Sequence, residues 1–163
     1  MNRYSTTKLV FLASVVLAAE VTLLETCSLK GARAEALLAL ACFAALFARD
    51  SAQGLLAAWM IGLVKDAASA GPLGLHALLF LGAGWVVLQV RQILYRESPV
   101  TQLVVAFVAT CWVNAAAAVF VSVFVGGIPF GIIVGKTLLS AVLTAALAPP
   151  LLFVLTQAKW LVR

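Results

Sequence analysis

A chain of 163 residues that is 64% hydrophobic and only 10% charged, with a mean hydropathy of +1.13, cannot dress the surface of a water-soluble domain, where about 25% charged residues is usual. Its apolar residues come in blocks long enough to enter a bilayer rather than in one-sided stripes, so lipid is the expected solvent. The net charge of +5 comes from basic residues scattered at block ends, a pattern that speaks of lipid headgroups and topology and excludes a nucleic-acid-binding stripe.

The first apolar block, residues 9–24, follows Arg3 and Lys8. A cleaved signal does not fit, because the small-residue site Ala32-Arg33-Ala34 lies too far downstream, and Leu24-Glu25-Thr26 before Cys27 is wrong for a lipoprotein. The block is expected to be retained as a helix. Blocks 36–48 and 52–64 are short, about 20 Å each against a hydrocarbon core of about 30 Å, so each is expected to borrow flanking residues or bend. Fusing them would place Arg49 and Asp50 in mid-membrane at a cost of about 2 to 3 kcal/mol per charge, which favours two helices joined by a tight turn at residues 49–51. Blocks 73–94, 100–125 and 132–155 are each long enough to cross.

None of these runs has the alternating pattern of a barrel strand, and backbone groups in lipid must be satisfied within the segment, so the expected fold is all-α. The sequence predicts one integral membrane domain over residues 1–163, a polytopic bundle of six transmembrane helices. With both termini in the cytoplasm, the inner joints hold Arg3, Lys8, Arg49, Arg91, Arg96, Lys159 and Arg163, against Lys30, Arg33, Lys65 and Lys136 outside, as the positive-inside rule requires. The longest joints, 25–35 and 65–72, are too short for an extramembrane domain. No internal repeat marks the inverted halves of a transporter.

Chemistry-bearing residues are sparse. Cys27, Cys42 and Cys111 make an odd count, and with a single histidine there is no ligand spacing for zinc, so neither a disulfide framework nor a metal or other cofactor is expected. The most unusual stretch is 62–76. There Lys65-Asp66 closes one helix, and Gly71, Pro72 and Gly74 open the next. Glycine allows positive φ or close approach, proline suits a helix's first turn, and Asp66 can accept backbone N–H bonds at the entry of the following helix. The alternative is that Asp66 and His76 form a polar site for a partner or ligand.

Glu20 sits deeper in the first block and is expected to face the bundle or a water-filled cleft, as a buried structural bond for which Asn114 and Lys136 are candidate partners, as a functional carboxylate, or as one that snorkels to the interface, while Glu25 reads as interfacial. Asn114 itself reads as helix-to-helix glue. Gly127, Gly131 and Gly135 recur every fourth residue beside Pro129 and suit close helix packing, either internal or with a single-span partner. Gly135-Lys136-Thr137 is no phosphate loop, because Phe130 stands where that loop needs a glycine. No acid, base and nucleophile constellation appears, and an enzyme is not expected.

Residues 62–108 resemble the central segment of the MreD family. Gly62, Leu63 and Asp66 match a helix end, Pro72, Leu73, Gly74 and Leu78 match the next helix start, and Arg91, Arg96, Glu97, Ser98 and Pro99 match a basic joint before the fifth span. The resemblance implies a non-enzymatic subunit of the bacterial elongation machinery in the inner membrane. It would bind the single-span protein MreC, by its membrane helix and juxtamembrane segment, and through it the MreB cytoskeleton, the RodA glycosyltransferase and a class B penicillin-binding protein. It further implies a fold similar to the substrate-binding subunits of energy-coupling-factor transporters, and so a rival reading as a small-molecule or lipid-binding subunit. For the scaffold, the contact face would be the first span with Glu20 together with the 65–76 turn.

Overall fold

The computed structural model describes residues 6–24, 34–48, 50–69, 72–91, 99–124 and 130–157. Among them the chain forms six α-helices: α1 (Thr6–Ala19), α2 (Ala36–Phe47), α3 (Ser51–Ala68), α4 (Leu75–Val90), α5 (Pro99–Phe124) and α6 (Phe130–Gln157). A π-helical turn, Glu20–Leu24, extends α1. These segments follow the six apolar blocks closely. α2 and α3 are separate helices, with Asp50 in extended backbone as the residue before α3; Arg49 lies outside the described residues. So do Glu25, Cys27, Lys30, Arg33, Arg96, Glu97, Ser98, Gly127 and Pro129.

α2 organises the rest. Its twelve residues, Ala-Leu-Leu-Ala-Leu-Ala-Cys-Phe-Ala-Ala-Leu-Phe, contain no polar side chain, and a helix that is apolar all round must be enclosed on every side. Ala36 through Leu46 are all buried, and α1, α3, α4, α5 and α6 each pack against this helix. Leu9, Ala13 and Val16 from α1, Ile61 from α3, Phe80 and Ala83 from α4 and Val105 and Ala109 from α5 complete the core around it. The expectation that α2 borrows flanking residues is corrected: the helix ends with its apolar block. Enclosed by protein, a helix of about 18 Å has no lipid thickness to match.

α3 reaches its neighbours through small residues spaced four apart, Gly54, Ala58 and Gly62. A Cβ on Gly54 would lie 3.0 Å from the Ala48 Cβ, and one on Gly84 of α4 would lie 3.0 Å from the Ala58 Cβ. The closest approach is at Gly62, where a Cβ would meet the Ala77 Cα at 2.5 Å and the His76 carbonyl oxygen at 2.7 Å. Backbone cannot step aside as a flexible side chain can, so the crossing of α3 and α4 requires glycine there. Gly135 behaves otherwise. It is exposed on α6 and a Cβ on it would touch nothing, which corrects the reading of internal close packing at that position; Gly131 falls in the first turn of the same helix.

α5 and α6 are long and apolar enough to cross a membrane, over Val100–Phe120 and Val134–Leu151, while α1, α2 and α4 contribute shorter apolar stretches. Outward-facing positions carry Phe11, Leu56, Trp59, Leu78, Trp85, Val108, Trp112 and Val119, all substantially exposed.

Gly62→Ala is expected to destabilise the chain by about 1 to 3 kcal/mol by overpacking the α3–α4 crossing. Gly82→Ala, whose Cβ would lie 3.5 Å from the Trp112 indole nitrogen, should be neutral or stabilising. Unfolding of the two variants side by side in detergent checks both.

Candidate functional site

Among the described residues, two helices begin against the rest of the protein, and each start leaves backbone N–H groups that lack intrahelical partners. At α4 they are taken up by Asp66, from the last turn of α3. Its Oδ2 accepts N–H bonds from Gly74 and Ala77, both at 3.0 Å, and its Oδ1 accepts the His76 N–H at 3.0 Å and faces the His76 Nδ1 at 2.9 Å. The carboxylate is 1% exposed. Facing a carboxylate that already accepts three N–H bonds, Nδ1 is the donor in this contact.

The backbone geometry serves the same end. Gly74, the residue before α4, has φ +96°, a left-handed conformation with nothing within 4 Å of a would-be Cβ, so glycine is required there by the backbone and not by crowding. Gly62, one turn before Asp66 on α3, admits the α4 backbone closely enough for the carboxylate to reach it. Pro72 is exposed and lies before the helix, in the turn, where its carbonyl accepts the Leu75 N–H at 3.3 Å; the placement in the first helical turn is corrected accordingly.

At α2 the same task falls to Glu20. The π-helical turn begins at this residue, and its Oε2 accepts the Leu37 N–H at 2.9 Å. The Glu35 N–H is donated to the Thr144 hydroxyl of α6 at 2.9 Å, and that hydroxyl in turn donates to the Ser140 carbonyl at 2.8 Å. Lys65 joins the two acids. Its ammonium lies 3.0 Å from Glu35 Oε2, 3.6 Å from Glu20 Oε1, and 5.5 Å from the centroid of the Phe80 ring. The edge of His76 meets that same ring, with centroids 6.4 Å apart and planes at 88°. The result is one polar layer at one end of the bundle, made from α1, α2, α3, α4 and α6.

Of the residues singled out in the sequence, Glu20, Lys65, Asp66, Gly74 and His76 come together in this layer. Glu20 pairs with Lys65 and the Leu37 amide, not with Asn114 or Lys136. Asn114 instead donates from Nδ2 to the Ser140 hydroxyl at 3.3 Å, tying α5 to α6, and Lys136 is exposed on α6. Sequence reasoning missed Glu35, which reads as a loop residue, and Thr144, a lone hydroxyl in an apolar run. The one available signal was Glu35's place immediately before a helix with no polar residue of its own.

At the opposite end of α2, the Arg91 guanidinium donates to the Ala48 carbonyl at 2.9 Å and approaches the Ser51 hydroxyl at 3.5 Å. A carboxylate at its N-terminus and a cation at its C-terminus both oppose the helix dipole in the favourable sense. Among the described residues, no group of three or more His, Cys, Asp and Glu side chains is placed to hold a metal ion.

The family model for the rod shape-determining protein MreD matches residues 2–159. The chain belongs to the MreD family. The match extends the resemblance of residues 62–108 over almost the whole sequence, and MreD proteins are membrane proteins with a role in determining rod shape. No curated protein and no solved structure matches the chain. Within the MreD framework the helix-end residues Gly62 and Asp66 and the helix-start residue Gly74 acquire a physical meaning: together they build the α3–α4 joint.

Replacing Lys65 by methionine should destabilise the chain by about 3 to 5 kcal/mol, because it leaves two carboxylates facing each other in a half-buried layer. Adding Glu35→Gln to that variant should recover part of the loss, which a double-mutant cycle on unfolding midpoints measures. Asp66→Asn should cost about 2 to 4 kcal/mol, since the amide keeps one acceptor oxygen and turns an NH2 toward backbone donors. Loss of amide hydrogen-exchange protection confined first to residues 74–77 is the expected signature.

Proposed function

We propose that this chain is a non-enzymatic membrane scaffold of the rod complex that binds MreC and so helps to regulate peptidoglycan synthesis and cell shape. The observation that carries the reading is the family match over residues 2–159. It is supported by the polar layer, in which each carboxylate is engaged as a helix cap or ion-pair partner. Such a layer stiffens a bundle, as a post requires.

In this reading residues 1–163 form one domain that crosses the bacterial inner membrane six times, with both termini in the cytoplasm. MreC docks through its membrane helix and juxtamembrane segment, and MreB, RodA and the class B penicillin-binding protein are reached through it. The mechanism is positional. Holding MreC in one orientation favours whichever state of the synthase that orientation fits, and the shift is as large as the difference in binding between the two states. The contact face is the first span together with the turn before α4, where Leu73 is 83% exposed.

Co-purification in mild detergent of this chain with the MreC of the same organism tests the proposal. Capture of MreC by the wild type, weakened in Leu73→Glu while that variant remains monodisperse and as stable as the wild type, is the expected result. A folded wild type that captures no MreC and retains a small molecule or lipid instead would replace the scaffold by the ligand-binding reading.

A further inference from the structure

The helices of this bundle differ in length in a way that fixes how deep the polar layer lies. α2 has 12 residues, about 18 Å, and runs from the Arg91 end to the layer. The 2.9 Å bond from the Glu35 amide to Thr144 sets the start of α2 level with the middle of α6. From Thr144, α6 extends a further fourteen residues to Phe130, about 21 Å beyond the layer. Asn114, bonded to Ser140 one turn past Thr144, sits about 6 Å beyond the layer, with ten more residues of α5 to Phe124, about 15 Å further.

A hydrocarbon core is about 30 Å thick. If the Arg91 end lies at one boundary, as basic residues at helix ends do, the layer falls roughly 12 Å short of the other boundary. Yet its side chains are not sealed. Glu35, Glu20, Lys65 and His76 are 13%, 16%, 16% and 23% exposed, and beside them Leu73 stands out of the turn. Charged groups open to hydrocarbon are costly enough that water or headgroups are drawn to them instead. A bundle too short for its bilayer on one side thins that side.

We propose that the α1–α4 side of the bundle pulls lipid headgroups and water down to the polar layer, thinning one leaflet locally, while the α5–α6 hairpin spans the full depth. This rests on the reading that the chain crosses the membrane, and it adds a lipid-facing activity that docking of MreC does not require. The surface it offers is a step in bilayer thickness around one molecule.

Single cysteines test it in the chain with Cys27→Ser and Cys111→Ala, leaving Cys42, which is buried within α2. Leu73→Cys reports on the layer, and Leu138→Cys, 49% exposed and six residues before Thr144 on α6, about 9 Å past the layer and so within the roughly 12 Å of hydrocarbon that remains, reports on the hairpin beyond it. Both are labelled in native vesicles, sealed in either orientation, with a membrane-impermeant maleimide, and their rates are compared with those in detergent. The expected result is a Leu73→Cys rate within about twofold of its detergent value, and a Leu138→Cys rate slower by about tenfold or more. Labelling of both would put the layer at an ordinary membrane boundary with the hairpin protruding, and would overturn the proposal. Protection of both would mean a dry layer and would overturn it equally. Release of the chain from vesicles by alkaline carbonate would instead defeat the membrane reading on which the proposal stands.

Discussion

A helix that starts within a protein leaves N–H groups that only the protein can satisfy, and this constraint shapes one whole end of the bundle. α2 and α4 both start there, and both are served by a carboxylate from the last turns of a preceding helix, Glu20 for α2 and Asp66 for α4. An unmet buried donor costs about 1 to 3 kcal/mol, so each acid must be delivered accurately. Delivery explains the local backbone. The π-helical turn begins at Glu20, and glycine at position 62 lets α4 approach α3 until its first amides come within 3.0 Å of Asp66. Left-handed backbone at Gly74 turns the chain so that three of those amides converge on one carboxylate.

Bringing two carboxylates to the same buried helix start creates a second problem, which Lys65 resolves. Glu20 and Glu35 both face the α2 entry, and without a cation between them their repulsion in a poorly solvated layer would undo the benefit of the cap. Lys65 sits beside Asp66 in the sequence and shares its helix turn, so one turn of α3 supplies both the cap for α4 and the counter-charge for α2. Phe80, fully buried, underlies the arrangement by offering a ring face to the ammonium and meeting the edge of His76. The cap, the ion pairs and the aromatic contact are therefore coupled, and a change in one is felt by helices that do not carry it.

Much of this was readable in the sequence, and what was not has a physical cause. Helix number and bounds followed from apolar run length, because in lipid an uninterrupted apolar run has few alternatives to a helix. The Asp66 cap followed from an acid, a proline and two glycines in one short stretch. The partner of Glu20 did not follow, because that contact joins residues 45 positions apart whose meeting depends on the packing of three helices. Glu35 and Thr144 escaped for the same reason. Gly135 does not pack as its spacing suggests, because spacing of four says which residues share a face and not which way the face points: Gly54, Ala58 and Gly62 turn inward, while Gly135 turns out.

The residues by which the family is recognised at its centre, Gly62, Asp66, Pro72, Leu73 and Gly74, are mostly those of the α3–α4 joint. They are distinctive because the joint tolerates few alternatives: a Cβ at 62 strikes backbone, and any side chain at 74 meets a disfavoured φ. Outward positions obey no such rule, since valine, leucine, tryptophan and alanine all satisfy a lipid-facing helix. Leu73 and Leu78, which belong to the same motif, differ from the glycines and the acid, since both are exposed and make no part of the cap. A constraint internal to the chain accounts for glycine at 62 and 74 and an acid at 66, but not for large apolar side chains standing clear of the fold at 73 and 78. The contacts of these two leucines lie outside the chain, in lipid or in a partner, so their reason is to be sought in function rather than in folding.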